Sequence, residues 1–462
     1  MELQANPQLL WFIGIYALIM VGVGIYMSKK VSNSTDFILA GKSLGPFVLM
    51  GTLLATWTGS GSISGGETSV AYSFGIIPSL MLMLPTLIGI LILYVIAPKI
   101  RAFGKYTISG ILEAKYGTSA RNLSSIIVLL AYVGIVSYQM VGFGFILNLT
   151  TGISVELGTI ISAVLIIFLA MIGGLRSVSQ TDAISGFLMV GGLLITVPVI
   201  ISIAGGWDSI VANVPDSHMT ATGGLTTIQL IGYLLPSLFL LLGDQNMYQR
   251  LAASKGDKSA KKAQLGWLLI MLIISPAISI IAFTSRSLFP DIDPGMALMA
   301  TTLALPLGIG GILLAAAAAF IITTGNSYLL SAATNMTYDI YGKYINKNAS
   351  DKKKLVMTKV FIVLLGALSY LLISYFPTVL EVQMYSYTVY GAGITPAILA
   401  VFFWKRVTAI GGLSSMVTGV VTTLLWELVL GKPFDLNSVV ISVPAAIIVL
   451  VAVSLATQKK NK

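Results

Sequence analysis

The sequence contains no cysteine, so neither a disulfide framework nor thiolate chemistry is open to it. It has one histidine, His218, in a polar loop with Asp208 and Asp216. That position reads as a surface residue and excludes a histidine-based metal site. Charge is scarce too: 10% of residues are Asp, Glu, Lys or Arg, against about 25% in a soluble domain, while 56% are hydrophobic. No Gly-rich phosphate loop ending in Lys-Ser/Thr occurs, nor any polar stretch long enough to house a catalytic domain. These absences argue against an enzyme or an ATP-driven pump. They leave an all-α polytopic membrane protein.

What is present is a series of long apolar runs. Their lengths predict thirteen spans at about 9–27, 46–73, 77–97, 123–149, 155–175, 180–204, 226–249, 263–285, 308–337, 356–376, 381–403, 408–430 and 437–456. The first has no small-residue cleavage pattern before Ser28-Lys29-Lys30, so it reads as a true helix rather than a signal peptide. With the amino terminus outside, every one of the 27 basic residues except Arg286 and Lys432 falls in an inner segment, including Arg176, Arg250, Lys459, Lys460 and Lys462. The positive-inside rule therefore supports this topology, with a cytoplasmic carboxyl terminus in a plasma (inner) membrane. It also accounts for the net charge of +10 through the lipid bilayer, without a nucleic-acid partner. Two connections hold more than a turn. Residues 109–116 form a short amphipathic piece, and 286–307 reads either as a half-helix lid or as a plain connector.

One apolar segment cannot be an ordinary helix. In Ala55-Thr56-Trp57-Thr58-Gly59-Ser60-Gly61-Ser62-Ile63-Ser64-Gly65-Gly66-Glu67 the glycines weaken helix propagation and free backbone carbonyls, and the hydroxyls add further oxygens. Irregular backbone at membrane depth is tolerated only where it is buried in protein or lines a wet cavity, and secondary carriers bind solutes at such breaks. The alternative is a small-residue face packed on a neighbouring helix.

Polar groups within the spans need a reason, since a charge at the bilayer centre costs about 2.5–3.5 kcal/mol on insertion scales. Asp244, with Tyr248 four residues on and sharing its helical face, reads as a substrate or cation contact, or else as a structural hydrogen-bonding cluster. Asp182 sits near a predicted helix start, where an amino-terminal cap explains it. Thr323-Thr324-Gly325-Asn326-Ser327 stacks hydroxyls on one face, either bonding back to their own helix or offering the neutral oxygens a hard cation wants. Trp57 and Tyr138 are rings among small or polar neighbours, either packing elements or a face for an amine. Glu67 and Glu427 read as helix-end or vestibule charges.

Taken together, these strings resemble the sodium/solute symporter family over nearly the whole chain. The ordered set is Asp36-Phe37-Ile38-Leu39-Ala40-Gly41-Lys42-Ser43-Leu44-Gly45-Pro46, Gly173-Gly174 followed by Thr181-Asp182, Gln249-Arg250 before Ala252-Ala253-Ser254-Lys255, and Thr323-Thr324 upstream of Tyr341. The resemblance implies a LeuT-type fold. Two inverted five-helix repeats, 46–204 and 226–403, follow one leading helix and precede two trailing ones, all in a single transmembrane domain. It implies a sodium site on the carbonyls of Ala55, Thr58 and Phe320 and the hydroxyls of Thr323 and Thr324. A second sodium would fall on Asp182, Asn326 and Ser327, with Asn326 standing where the family has Ser.

For the solute, Ala55-Thr56-Trp57 and the Gly/Ser run are similar to the choline branch, whereas Asp244-Gln245 before Tyr248 looks like the urea/polyamine branch. The solute-binding set expected is Trp57, Gly59, Tyr138, Asp244, Gln245 and Tyr248. The expectation is a sodium-coupled symporter, functional as a monomer, that imports a small amine or organic cation by alternating access. Sugar, proline and carboxylate solutes are disfavoured because no basic residue is expected deep in the core. A urea or amino-acid symporter, a non-transporting sensor of the same fold and a proton-coupled carrier are the alternatives.

Overall fold

A computed structural model describes residues 4–28, 34–105, 107–376 and 378–458. Within them the chain is helical, with an isolated bridge between Leu44 and Ser254 and no strand. In chain order the helices that matter are α1 (Leu9–Ser28), α2 (Pro46–Ser60), α3 (Gly66–Phe74), α4 (Ile76–Phe103), α5 (Ile108–Tyr116) and α6 (Thr118–Thr151). Next come α7 (Val155–Ile172), α8 (Gly174–Ile203), α9 (Thr227–Gly243), α10 (Gln245–Ala252) and α11 (Asp257–Leu288). The series ends with α12 (Leu307–Asn335), α13 (Asp351–Leu372), α14 (Val379–Phe403), α15 (Ala409–Leu424) and α16 (Val439–Thr457).

Among the described residues twelve helical segments are long and apolar enough to cross a membrane, α9 and α10 together forming one of them. The count of continuous spans is thus twelve rather than thirteen, and the difference is the glycine-rich stretch itself. Predicted as a span at 46–73, it forms α2, a wide π-type turn over Gly61–Gly65, and α3. Gly59 (φ −28°, ψ −152°) and Gly65 (φ −94°, ψ −121°) both leave the helical region, so no piece reaches spanning length.

A second break separates α9 from α10 at Asp244 (ψ 119°), whose carboxylate caps the new helix by accepting from the Asn246 amide at 3.0 Å. A third lies at Gly174, whose positive φ of 57° ends α7 and starts α8. The predicted inner loop at 176–179 is therefore already helix. Asp182 lies two turns into α8 instead of capping it.

Helix starts follow local chemistry. Thr226 and Gln229 form a reciprocal capping box at α9, and Thr107, Ser154, Ser350, Thr378 and Thr408 each accept an amide hydrogen bond at the start of α5, α7, α13, α14 and α15. Outward-facing apolar side chains such as Leu18, Leu91, Val164, Leu364 and Ile448 stay exposed on the peripheral helices, as a lipid-facing surface requires. The interior is built where α12 packs on α8, α6 and α2, and where α14 packs on α6 and α9. The breaks at Gly59 and at Asp244 lie in this interior.

The connections are more ordered than the sequence suggests. Residues 294–303 form short helical turns whose Gly295 approaches the Ser64 carbonyl, so the 286–307 segment is not a plain connector but a cover on the broken stretch. His218, expected at the surface, is buried beneath its loop, with Nε2 3.0 Å from the Tyr72 carbonyl. The loop reaches back over the end of α3, and His218 is the residue it plants there. Lys29, Lys30, Lys459, Lys460 and Lys462, counted among the inner charges, lie outside the described residues.

Candidate functional site

The first half of the site follows from the break at Gly59. The Ala55 carbonyl, one turn before it, accepts from the Thr324 hydroxyl of α12 at 2.9 Å. Thr323 donates to the Phe320 carbonyl at 3.3 Å, one turn back along its own helix. A Cβ at residue 59 would run into the Thr324 side chain, so only glycine lets α2 and α12 meet this closely.

Ala55, Phe320, Thr323 and Thr324 are all buried and lie together. Thr58 is in the same turn of α2, but its hydroxyl points at the Met271 sulfur (3.9 Å), leaving its carbonyl as the group available to this junction. The donors are neutral oxygens. They can replace the hydration shell of a hard monovalent cation without stranding a negative charge when the ion leaves. Among the described residues no three His, Cys, Asp or Glu side chains converge as a metal cluster.

The second half lies on Trp57 and on the residues after Gly59. The Trp57 ring stacks against Tyr387 of α14 (centroids 6.2 Å apart, planes at 28°), and its indole N–H donates to Thr86 at 3.2 Å. Tyr138 of α6 donates to the Tyr387 hydroxyl at 3.3 Å. Trp57 and Tyr138 are therefore brought together, as expected, but through a residue that sequence reasoning missed. Gln383, one turn from Tyr387, accepts from the Gly66 amide at 2.8 Å. Gln139 accepts from the Ser60 amide at 2.8 Å and keeps its Nε2 buried with no partner among the described residues. A signal for α14 did exist: Gln383, Tyr387 and Tyr390 recur at spacings of four and three in a span otherwise rich in apolar and small residues.

Asp244 heads a separate cluster. Its carboxylate accepts from the hydroxyls of Tyr132 and Tyr328, the latter at 2.9 Å, and Tyr390 donates to the neighbouring Gly243 carbonyl at 2.8 Å. Tyr132 and Tyr390 stack at 5.4 Å. Gln245 accepts from the Ile108 amide at 3.0 Å and donates to Ser331 at 2.8 Å. The Tyr248 amide bonds the Asp244 carbonyl at 3.0 Å, as i, i+4 spacing requires, but its hydroxyl donates to the Leu242 carbonyl at 2.9 Å and not to the Asp244 carboxylate.

The third cluster overturns a premise of the sequence reading. Arg250, expected in an inner loop, is fully buried in α10. Its guanidinium donates to Thr52 at 2.9 Å and Ser327 at 2.7 Å and lies 3.4 Å from Asp182. Asp182 also accepts from Thr52. A basic residue is therefore deep in the core after all, held there by a buried carboxylate, the arrangement a buried charge demands.

A protein-family model described as the sodium:solute symporter family matches residues 37–419. The osmoregulated proline transporter OpuE of Bacillus subtilis is 27% identical over 442 residues, covering 90% of this chain and 87% of that protein. A sodium/proline symporter of Staphylococcus aureus is also 27% identical, covering 92% and 87%. Among solved structures, a sodium-coupled sialic acid symporter in its substrate-bound outward-open state superposes with a TM-score of 0.81 at 19% identity, over 98% of both chains. MhsT in complex with L-phenylalanine superposes at 0.56 with 15% identity, over 89% of this chain and 98% of that one. These likenesses agree with the LeuT-type break-and-junction geometry described above. The chain belongs to the sodium:solute symporter family, and is a multi-pass membrane transporter, not an enzyme, that couples sodium to the movement of a small organic solute.

Proposed function

We propose that this carrier moves a small amine-bearing solute inward with sodium, and that a zwitterionic amino acid of the proline type is the member of that class to try first. The observation that carries the reading is the pairing of two features on one broken stretch. Thr324 meets the Ala55 carbonyl at the break, and beside it the Trp57 and Tyr387 rings stack, with the Tyr138 hydroxyl bonded to that of Tyr387. The rings offer the faces a cationic amine prefers. The unpartnered Gln139 Nε2 offers a neutral donor to a carboxylate, which Arg250, committed to Asp182 and Ser327, does not. The relatives named as proline transporters favour the amino acid over choline or urea.

In this reading sodium sits on the carbonyls of Ala55, Thr58 and Phe320 and the hydroxyls of Thr323 and Thr324. It pins the break and so completes the solute pocket. A second sodium would rest on the Oδ1 atoms of Asp182 and Asn326, both buried without a hydrogen-bond partner among the described residues, because Ser327 is taken by Arg250. Asp244, Gln245 and Tyr248 then shape the floor beneath the pocket, their polar atoms already paired. The membrane potential, about 2.3 kcal/mol per charge per 100 mV, favours inward movement of the loaded form.

The proposal includes an inner (plasma) membrane setting with the amino terminus outside, supported by the bias of basic residues. It takes 46–204 and 226–403 as the two inverted repeats, each headed by one of the broken segments, and one chain as the working unit. Uptake into liposomes tests it: L-proline, choline and urea are offered under a sodium gradient, then with potassium replacing sodium, with and without a pH gradient. Sodium-dependent L-proline or choline uptake is expected. Uptake of urea alone, or uptake driven by the pH gradient alone, sinks the reading.

A further inference from the structure

Glu67 closes the glycine-rich stretch and falls in the first turn of α3, where a negative charge suits the helix amino terminus. The helix end does not account for its surroundings, however. The residue is only 6% exposed, inside the bundle, where a carboxylate needs either a cation or a full set of donors. Three other carboxylates buried among the spans face a cation. Asp182 pairs with Arg250, Asp339 with Arg121, Glu427 with Lys432, and Asp244 is enclosed by two tyrosine hydroxyls and an amide. Glu67 accepts from the Ser275 hydroxyl at 2.8 Å, with the Ser62 hydroxyl and its own amide also beside the carboxylate, but it has no ion-pair partner among the described residues.

Glu67 also differs in what it faces. It lines a cleft whose other walls include Trp57, Tyr387, Gln383 and Ser237. One side is therefore a carboxylate and another is a pair of ring faces, with the Trp57 indole held in place by Thr86. That combination recognises an organic ammonium group: the charge pairs with the carboxylate while the alkyl and N–H surface lies against the rings. The cleft has about 10 Å³, space for about one water. A solute therefore enters only if the wall moves.

We infer that Glu67 is the counter-charge for the solute's ammonium group, so that this pocket selects cationic and zwitterionic amines over neutral solutes of the same size. The inference rests on the amine reading above and supplies the subsite that Asp244, sealed by its tyrosines, does not.

The test uses the full chain in liposomes under a sodium gradient, with L-proline and choline as probes. Wild-type protein should take up at least one of them, and Glu67→Gln should raise its KM by roughly 10- to 100-fold. Sodium alone should still raise the thermal stability of the variant, since the Ala55–Thr324 junction is intact. Unchanged KM in Glu67→Gln with active wild-type protein overturns this inference alone. Wild-type protein that takes up neither probe overturns the amine reading and this inference with it. A second measurement needs no variant. Tetrahydrofuran-2-carboxylate, which replaces the ring ammonium of proline by an ether oxygen, should fail to compete with the transported probe. Competition as strong as that of L-proline would overturn the assignment.

Discussion

The Thr324 hydroxyl donates to the Ala55 carbonyl at 2.9 Å, joining two helices that lie 269 residues apart in sequence. The contact is possible because residue 59 is glycine: a Cβ there would run into the Thr324 side chain. It is the point at which an ion could hold the broken stretch and α12 together.

Thr324→Ala should weaken sodium dependence most directly. Losing a hydroxyl that meets a buried carbonyl costs about 1–3 kcal/mol, which corresponds to roughly 5- to 150-fold in apparent sodium affinity. Thr324→Ser, which keeps the oxygen, should stay close to wild type. Measuring uptake as a function of sodium concentration separates the two, and an unaltered half-saturating concentration in Thr324→Ala removes this residue from the site.

Gly59→Ala puts a Cβ into the Thr324 side chain. The two helices must then part, so sodium-driven uptake should be lost while the protein still inserts in the membrane. Gly14→Ala, at a position with open space beside it, serves as the control and should transport normally.

Arg250→Met should destabilise the protein by about 3–5 kcal/mol, because it leaves Asp182 buried without its cation. Adding Asp182→Asn should recover much of that loss, since both charges are then gone. Thermal unfolding in detergent reads the effect, and two losses that simply add would show that the pair is not coupled.

His218 offers a pH test outside the spans. Burial holds its imidazole below the ordinary histidine range, and Arg286 adds to the effect, while its bond to the Tyr72 carbonyl opposes it. The unfolded loop therefore binds the proton more readily than the folded one. The stabilisation is fully present above about pH 6.5, the unfolded value, and is lost as pH falls towards the folded value. Hydrogen-exchange protection in residues 215–224, corrected for the intrinsic rate at each pH, should fall below about pH 6.5, and His218→Gln should remove that fall.

The spans and the break at 55–67 were legible in the sequence for local reasons. Hydropathy over about 20 residues reports what a helix does in lipid, and clustered glycines report where it stops. The sodium-site residues, named through the family resemblance, came together around Ala55 and Thr324. Arg250 was misplaced because its distance from a helix end counted as exposure. The sequence did not show that α10, short and polar, folds back into the core against Asp182. Tyr387 was passed over although Gln383 and Tyr390 share its face, because a helical stripe says nothing about the helix it will meet. His218 was misplaced for a similar reason, since polar loop composition does not reveal a loop that closes over α3.

The sequence alone determined the membrane setting, the run of helices and the places where they break, because each depends on residues within a turn or two of one another. Tertiary structure decided which carboxylate is paired and which is left waiting for a cation. Asp182, Asp244 and Glu67 look alike in the chain. Only the meeting of α8 with α10, of α6 and α12 with the Asp244 cap, and of α3 with α11 gives the first a guanidinium, the second a tyrosine cage and the third serine hydroxyls without a cation.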